Sequence, residues 1–467
     1  MSITPFRSFT ILAFSFIVCI LLYFIVSLIL LYTNPDFTNL LVSSSHFSTP
    51  TCLEHIVFGL ASSKSSWTKQ KDFVKLWWKP NKTRGCVFVD SLPIDINSTH
   101  DNISLPPMCL SSNTSQFRYT YKHGYRSFIR MARIVSETVD LNYSNVRWFV
   151  FGDARTIFFA ENLVKTLSKY DHNLWYYIGS NSEIYEQSRV DSFDMAVWGA
   201  GFAISAPLAR TLAKVLDSCL GRYPHLYGSD GRIYACLAEL GVGLTLERGF
   251  HQVDVRGNIF GFLAAHPTTP IVSLSHLDEV DPIFPNKSVI NSLHHLFKST
   301  TIDSERILQQ TVCYDRWFFW TISVSWGYAV EIYNHHIHLS DVLRMQETFN
   351  PLKKGAATNY LLSTRPVHPD PCRRSSVFFL DRVDDSKMPM IIGRYRRILP
   401  ENCSFDPMTT PKKLNEIVVF SRKLNLGINQ LRAPRRQCCD VLPPKDVSKL
   451  ELSIRECRDD ELIKLHK

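Results

Sequence analysis

The stretch Val146–Asp153, VRWFVFGD, is the part of the sequence that decides the fold. It is a short run of aromatic and β-branched residues that stops abruptly at an acidic residue. A second apolar stretch follows, and then a helical pattern over about residues 161–170. Strand, polar turn and helix in this order are typical of an α/β domain. We therefore predict a layered α/β fold, with the turn Gly152–Arg155 at the end of a buried strand.

The segments on either side of this stretch also alternate between short apolar runs and apolar residues at helical spacing. Short apolar runs predict further buried strands at residues 55–61, 85–90 and 175–179. Apolar residues at helical spacing predict helices at residues 67–78, 125–141, 207–220 and 231–240. The polar stretch 91–115 predicts an exposed loop.

Composition limits the class of protein. The 467 residues are 45% hydrophobic and 12% aromatic, which is enough for a large core and argues against global disorder. The net charge of +9 comes from 52 basic and 43 acidic residues spread along the chain, without the basic block of a nucleic-acid arm. We interpret it as a mildly basic surface suited to a diphosphate ligand.

Residues 9–32 form an uncharged run near the N-terminus. As a helix the run is about 36 Å long, more than the bilayer core of about 30 Å. Its length favours an uncleaved anchor over a cleaved signal peptide. Arg7 precedes the run and Asp36 follows it, so we predict a single-pass type II protein. The cytoplasmic tail is then 1–8, the anchor 9–32 and a Ser/Thr-rich stem 33–51.

Two further features agree with a lumenal orientation. All seven N-glycosylation sequons lie beyond the anchor; they begin at Asn81, Asn97, Asn102, Asn113, Asn142, Asn286 and Asn402. Eleven of the twelve cysteines also lie beyond it, where an oxidising compartment would pair them. The alternative is a set of buried free thiols.

From about residue 312 the texture changes. Runs 317–330 and 376–381 are aromatic and β-branched, with Pro-rich turns between them, so we predict a β-rich C-terminal unit over residues 301–467. It holds six cysteines, for which fifteen pairings exist. They are Cys313, Cys372, Cys403, Cys438, Cys439 and Cys457.

Four blocks carry a specific resemblance. They are Trp148–Phe159 (WFVFGDARTIFF), Gly199–Ser205 (GAGFAIS), Tyr227–Cys236 (YGSDGRIYAC) and Gly249–Gly257 (GFHQVDVRG). In this order and spacing the sequence resembles the plant Fringe-related proteins of glycosyltransferase family 31. The similarity covers about residues 52–285 and continues into the C-terminal unit. We therefore predict a Fringe-like domain over residues 52–300.

The resemblance implies a GT-A fold, a Rossmann-like α/β sandwich. It implies an inverting enzyme that transfers a hexose from a UDP-sugar in the Golgi, typically in β-1,3 linkage. In such enzymes an Asp-rich turn and a downstream His hold Mn²⁺ against the diphosphate. A Gly-rich segment lines the donor, and an acidic residue of a later block is the base.

This chain departs from the family at the acidic turn. It keeps Asp153 but has Ala154 and Arg155 where the other two acidic residues belong. Asp153 is the remaining candidate for metal or donor contact, and the alternative is an Asp that closes a strand. Arg155 could supply a fixed cation in place of Mn²⁺ and bind the diphosphate through forked hydrogen bonds. The alternative is an exposed Arg left after loss of activity.

The Gly-rich segment is the predicted donor contact, through Gly199, Ala200 and Gly201, since absent side chains let the backbone approach a ligand. A plain tight turn is the alternative. Trp198 stands where the family has another Gly. We interpret its ring as narrowing the donor pocket or packing in the core rather than stacking on a sugar.

Asp230, in Gly228–Arg232 (GSDGR), is the predicted catalytic base, and the alternative is a helix N-cap. A second acidic residue of the family is here Gly231. His266 best matches the downstream metal ligand, with His251 in reserve. Either His could instead be an ordinary core residue. Cys219 and Cys236 flank the acidic block and could form a structural bridge.

Three functions follow from these observations. The leading one is a Golgi membrane hexosyltransferase with a UDP-sugar donor and a glycan or glycoprotein acceptor. The second is a degenerate member of the family that binds glycans or partner transferases without turnover, because the four substitutions fall within site blocks. The third is a secreted sugar-binding module without a nucleotide site.

Overall fold

The computed structural model describes residues 16–27, 29, 50–92, 104–352, 359–385, 390–397, 411–443 and 446–464. It divides into Met1–Pro50 and Thr51–Lys467. Residues 16–27 are helical. Among the described residues, no helix has the length and apolar character needed to cross a membrane. The predicted anchor, 9–32, lies partly outside the described residues, and the tail, nearly all of the stem and three sequons, at Asn97, Asn102 and Asn402, also lie outside them.

A seven-stranded sheet forms the centre of the N-terminal part of Thr51–Lys467, and its strands lie between residues 56 and 246. Its strands are β1 Ile56–Ala61, β2 Arg84–Val89, β3 Met108–Leu110, β4 Trp148–Asp153, β6 Tyr177–Gly179, β7 Phe202–Ser205 and β8 Leu244–Leu246. Their order is β3-β2-β1-β4-β7-β6-β8. The first four run parallel, and β7 is antiparallel to both neighbours. This sheet confirms the predicted α/β, Rossmann-like class; β3 is a short edge strand inside the predicted loop 91–115.

Helices cover this sheet, and apolar faces explain their placement. Helix α2 buries Ile129, Ala132 and Val135 at helical spacing. The Ser63 hydroxyl accepts a hydrogen bond from Ser66 N and so caps α1. The helices between residues 64 and 302 are α1 Lys64–Lys75, α2 Ser127–Val139, α3 Ala160–Leu167, α4 Tyr185–Val190, α5 Ala206–Arg222, α6 Ser229–Glu239, α7 Phe260–Ala264 and α8 Val289–Ile302. Of these, α7 and α8 pack mainly against strands of the C-terminal part.

Three small sheets lie beside the main one. Their strands are β5 Ile157–Phe158, β9 Phe250–His251, β10 Val255–Gly257, β11 Ser273–Leu274, β15 Met345–Gln346, β16 Phe349–Pro351 and β17 Thr364–Arg365. The orders are β5-β11-β9, β10-β16 and β15-β17. Since β10 pairs with β16, the C-terminal part of the chain contributes directly to the surroundings of the Gly249–Gly257 block.

An eight-stranded sheet forms most of the C-terminal part. Its strands are β12 Gln310–Tyr314, β13 Thr321–Ser325, β14 Ala329–Tyr333, β18 Ser376–Asp385, β19 Met390–Arg396, β20 Glu416–Arg422, β21 Cys438–Val441 and β22 Lys449–Arg455. The order is β12-β13-β14-β18-β19-β20-β22-β21, antiparallel except for the β20–β22 pair. The remaining helices are α9 Leu339–Val342 and α10 Ile428–Arg432, with 3₁₀ turns Leu53–His55, Ser304–Arg306, Pro371–Arg373 and Pro411–Lys413.

The two large sheets share one hydrophobic core. Buried residues form a continuous cluster from Phe58 on β1, through Phe158 and Trp326, to Ile454 on β22. A second cluster packs β1 and β4 against α2 and α5. Thr51–Lys467 is accordingly one compact unit. The strands of the C-terminal part belong to the same hydrophobic core as the seven-stranded sheet.

Disulfide bridges join neighbouring elements. They include Cys86–Cys109, Cys219–Cys236, Cys313–Cys439 and Cys438–Cys457. The Cys219–Cys236 bridge considered from the sequence is present and ties α5 to α6. Shortening the loops of the unfolded chain stabilises the fold, by about 3 kcal/mol for a loop of this length on the loop-entropy estimate.

Candidate functional site

The parallel strands set the place of the site. Because β2, β1 and β4 run in the same direction, Val89, Ala61 and Asp153 end at the same edge of the sheet. The chain leaves β1 towards β2 on one side and leaves β4 towards β6 on the other, so the connections diverge between β1 and β4. Ligands of open α/β sheets bind in the crevice at such an edge.

The acidic turn at this edge is closed by an internal ion pair. Arg155 N donates to Asp153 Oδ1 over 2.7 Å, and the Arg155 guanidinium reaches Asp153 Oδ2 at 3.3 Å. The same guanidinium lies 3.7 Å from Asp278 Oδ2. Burial lowers the pKa of Arg155, but the charges of Asp153 and Asp278 outweigh it and raise the pKa overall. Arg155 is therefore a fixed cation held by two carboxylates.

Thr156 connects the acidic turn to the Gly-rich segment. Its hydroxyl accepts from Asp153 N over 3.0 Å and donates to the Gly199 carbonyl over 2.8 Å. Thr156 is fully buried, so this link is shielded from water. The turn and the Gly-rich segment are thus held together as one framework.

The backbone of the Gly-rich segment is crowded, which explains its small residues. Gly201 has a φ of +79°, and a Cβ there would lie 2.8 Å from the Phe151 carbonyl oxygen. A Cβ at Gly199 would lie 2.6 Å from Gln252 Oε1, which accepts a hydrogen bond from Gly199 N. The Ala200 carbonyl accepts from the Ser273 hydroxyl. Larger residues at either glycine would push the segment away from the sheet edge.

Asp230 lies on the first turn of α6 and touches the same segment. Its Oδ2 accepts from Trp198 N over 3.1 Å, and its Oδ1 accepts from the Ser229 hydroxyl over 2.8 Å. Burial raises the pKa of Asp230, and the charge of Asp191 adds to the rise. The helix begins at Ser229 with Gly228 as its N-cap, so Asp230 is not the cap. A carboxyl group whose pKa is raised suits a general base.

A further set of polar residues, which the sequence interpretation missed, completes this edge. Gln252 Nε2 donates to Asp254 Oδ2 over 2.8 Å, and Asp254 Oδ1 lies 3.0 Å from His276 Nδ1. Asp278, two residues after His276, lies 3.7 Å from the Arg155 guanidinium. His276 and Val253 both have φ of +58°, an uncommon conformation that clusters at functional sites. The signal was a polar pair, His276 and Asp278, placed just after the apolar strand β11.

The predicted metal ligand His266 lies elsewhere. It is fully buried, with Nε2 3.0 Å from His251 Nε2 and Nδ1 3.0 Å from the Pro267 carbonyl oxygen. His251 Nδ1 in turn lies 2.6 Å from Glu183 Oε1. Burial and the neighbouring His251 hold the pKa of His266 well below its ordinary value. Neither histidine contacts Asp153 in the described part of the chain, so the structure does not bring the predicted pair Asp153 and His266 together.

The residues around the acidic turn do not fit a divalent metal ion. Both carboxylate oxygens of Asp153 already accept from Arg155. In the described ranges, three potential ligands converge only at Cys438, Cys457 and Glu461, and these two cysteines are bridged to each other.

Trp198 packs in the core. It is 2% exposed, and its ring lies 5.3 Å from that of Phe202 and 6.3 Å from that of Phe151. Of the interpretations offered from the sequence, core packing agrees with this position.

Two family models match the chain. Residues 54–256, which contain Asp153, Gly201 and Asp230, match a family model described as Fringe-like. The fold and this match define the class as a Fringe-like domain and support a glycosyltransferase. Residues 187–439 match the family described as "Protein of unknown function, DUF604". Because that match spans more than half of the chain, the protein belongs to the DUF604 family.

Among the solved structures that match the chain is a distant glycosyltransferase. It is the mannosyltransferase PcManGT from Pyrobaculum calidifontis in complex with GDP-Man and Mn²⁺. The identity is 12% and the TM-score 0.26, over 42% of this chain and 58% of that one. The chain therefore matches a little over half the length of that protein. No curated protein matches the chain.

Proposed function

We propose that this protein is a glycosyltransferase that moves a hexose from a UDP-sugar to a glycan or glycoprotein acceptor with inversion, in β-1,3 linkage. One observation carries the proposal. Asp153, Gly199 and Asp230 belong to one hydrogen-bonded framework, through Thr156 and the Trp198 backbone, at the carboxyl edge of the parallel strands. A donor at this edge would meet a cation and a base at once.

In this proposal each group of the framework has one role. The acceptor hydroxyl oxygen attacks the anomeric carbon, the bond from that carbon to the diphosphate oxygen breaks, and Asp230 takes the hydroxyl proton. Arg155 stabilises the negative charge on the departing diphosphate, and Asp153 and Asp278 hold its guanidinium in place. Gly199–Gly201 lets the donor lie close to the backbone. Preorganised charge of this kind is a large contribution to catalysis.

The proposal includes a Golgi location and a type II anchor over residues 9–32. Support comes from the length of the uncharged run, from the sequons beyond it and from the bridged cysteines of the described chain. We further propose that residues 301–467 act as an accessory unit to the domain 52–300. The shared hydrophobic core supports their acting together.

A second candidate is a glycan-binding member of the family without turnover. It is favoured because Asp153 is the only acidic residue left in the turn Gly152–Arg155, and both of its carboxylate oxygens accept hydrogen bonds from Arg155. In this case the edge would bind a sugar or a partner transferase but would not release UDP.

Turnover separates the two candidates. The full-length protein is incubated with a panel of UDP-hexoses and glycan acceptors, and released UDP is measured. We expect turnover that Asp230→Asn reduces by about 100-fold or more, since the amide cannot take the proton. UDP affinity should persist, because the amide oxygen can still accept from Trp198 N.

Asp217→Asn is the matched control. Asp217 lies on α5, half exposed, and pairs with Arg133 away from the edge. Its turnover should equal that of the wild type. UDP binding without any UDP release would instead support the second candidate.

A further inference from the structure

The C-terminal part of the chain supplies the described lining of a cavity of about 360 Å³. Its volume is within the range of small-ligand pockets, about 300–1,000 Å³. It is lined by Glu347, Phe349, Pro351, Asn359, Tyr360 and Thr364. All six residues lie beyond the region that matches the Fringe-like family. The cavity is therefore a feature of the second family match.

Two separate paths connect this cavity to the candidate active site. The first runs through α4, where Asn359 Nδ2 donates to Glu186 Oε1 over 2.6 Å and Tyr360 pairs with Ile184. Helix α4 is six residues long, about 9 Å, and is followed directly by Asp191, whose charge acts on Asp230. Helix α4 thus connects the cavity to Asp191, whose charge acts on the proposed base.

The second path runs through β10. Pro351, on the cavity wall, lies opposite Val255 in the β10–β16 pair. Val255 directly follows Asp254, which binds Gln252, and Gln252 in turn accepts from Gly199 N. The cavity therefore lies between an element that leads to the base and an element that leads to the donor segment.

The lining has the chemistry of a sugar site. The rings of Phe349 and Tyr360 meet edge to face at 5.5 Å, which leaves an aromatic wall against which a sugar ring can pack. The Tyr360 hydroxyl is buried and has no hydrogen-bond partner among the described residues. An unpaired buried hydroxyl is costly, and a ligand hydroxyl would satisfy it.

Charge indicates which sugars fit. Burial raises the pKa of Tyr360, and Glu347 and Glu186 raise it further, so both carboxylates lie near the phenol. Carboxylates accept hydrogen bonds from sugar hydroxyls but repel uronates and sulfated sugars.

We propose that this cavity binds the acceptor as a neutral glycan, with Tyr360 and Glu347 as its polar contacts. The inference rests on the proposed transferase function. The DUF604 part of the chain then determines which acceptor the Fringe-like part modifies.

Saturation-transfer NMR on the full-length protein tests the proposal. The probes are lactose, cellobiose and xylobiose as neutral saccharides and digalacturonate as the anionic one, each with saturating UDP. We expect at least one neutral saccharide to bind more tightly than digalacturonate. Tyr360→Phe and Glu347→Gln should each weaken it about three- to tenfold, the effect of one hydrogen bond. Tyr143→Phe is the control, because Tyr143 contacts Arg84 at the other end of β2.

UDP binding, measured in parallel, separates the two claims. If UDP binds but the variants bind the saccharides as the wild type does, the acceptor site is refuted while the transferase proposal stands. The same conclusion follows if digalacturonate binds best or if none of the saccharides binds. If UDP itself does not bind, the proposed function fails, and the acceptor site fails with it.

Discussion

The charged residues Asp153, Arg155 and Asp278 at the sheet edge, here called the edge cluster, and the buried pair His251–His266 are both made of ionisable side chains. The two groups differ in their exposure to solvent. Asp153 and Arg155 lie at the sheet edge, with side chains 15% and 27% exposed, and can meet a ligand. His266 is fully buried, and its two ring nitrogens face His251 and the Pro267 carbonyl. A shared metal would need Asp153 and His266 to converge. Because they do not converge, we propose that Arg155 takes the place of a metal beside the diphosphate, while the paired histidines support the packing around them.

The largest effect should come from the backbone that supports the edge cluster. Gly201→Ala places a Cβ 2.8 Å from the Phe151 carbonyl at a φ of +79°. We expect it to lower the free energy of unfolding by about 2–4 kcal/mol and to weaken UDP binding. Gly221→Ala is the control, since its Cβ would meet nothing within 4 Å on helix α5. Thermal unfolding of both variants checks the prediction; equal stability would show that the crowding is relieved easily.

Substitution of the buried pair His251–His266 should lower stability without changing ligand affinity. His266→Ala removes the partner of His251 Nε2 from a buried position. We expect a loss of about 2–4 kcal/mol in the free energy of unfolding and no change in UDP affinity. Urea unfolding and UDP titration measure the two effects. The exposed His294→Ala is the control. A loss of UDP affinity without a loss of stability would return His266 to the active site.

The pH dependence of the free energy of unfolding should also show that His266 contributes to stability as a buried, neutral side chain. The folded protein holds the pKa of His266 well below the ordinary value of 6.5, so the unfolded chain binds the proton more readily. The stability from neutral His266 is then fully present above pH 6.5 and is lost as pH falls below it. The slope is at most about 1.4 kcal/mol per pH unit. Urea midpoints between pH 5 and 7.5 measure it, and His266→Asn should flatten the profile. An unchanged slope would contradict the assignment.

The smallest effect should be at Trp198. Its indole Nε1 is buried and has no partner within the described ranges. Trp198→Phe removes this donor and keeps an aromatic ring against Phe202, so we expect less than about 1 kcal/mol of destabilisation. UDP-sugar affinity should not change, as isothermal titration can show. A large loss of affinity would mean that the indole contacts the donor.

Much of the fold was predictable because local patterns agree with it. The apolar runs at 55–61, 85–90 and 146–153 became β1, β2 and β4, since buried parallel strands read as continuous apolar segments. The β-rich character of the C-terminal part was also visible in the runs 317–330 and 376–381. The edge strand β3 was missed, because its apolar residues Met108–Leu110 form a run of only three within the polar stretch 91–115. The predicted domain boundary at 300 stays a prediction.

The site was predictable only where neighbouring residues act together. The turn with Asp153 and Arg155 and the Gly-rich segment are contiguous motifs, and the structure places them in contact. His276 and Asp278 were missed because β11 carries them to the edge from more than a hundred residues away. His266 was favoured by its place in the chain, yet its side chain packs against His251.

Isothermal titration of the full-length protein with UDP, with Mn²⁺ and with EDTA, tests the central claim most directly. If Arg155 supplies the cation, UDP should bind equally well in both conditions. Arg155→Ala should weaken binding by about tenfold or more, as expected for a charge-assisted contact. Binding that requires Mn²⁺ and tolerates the loss of Arg155 would contradict the account.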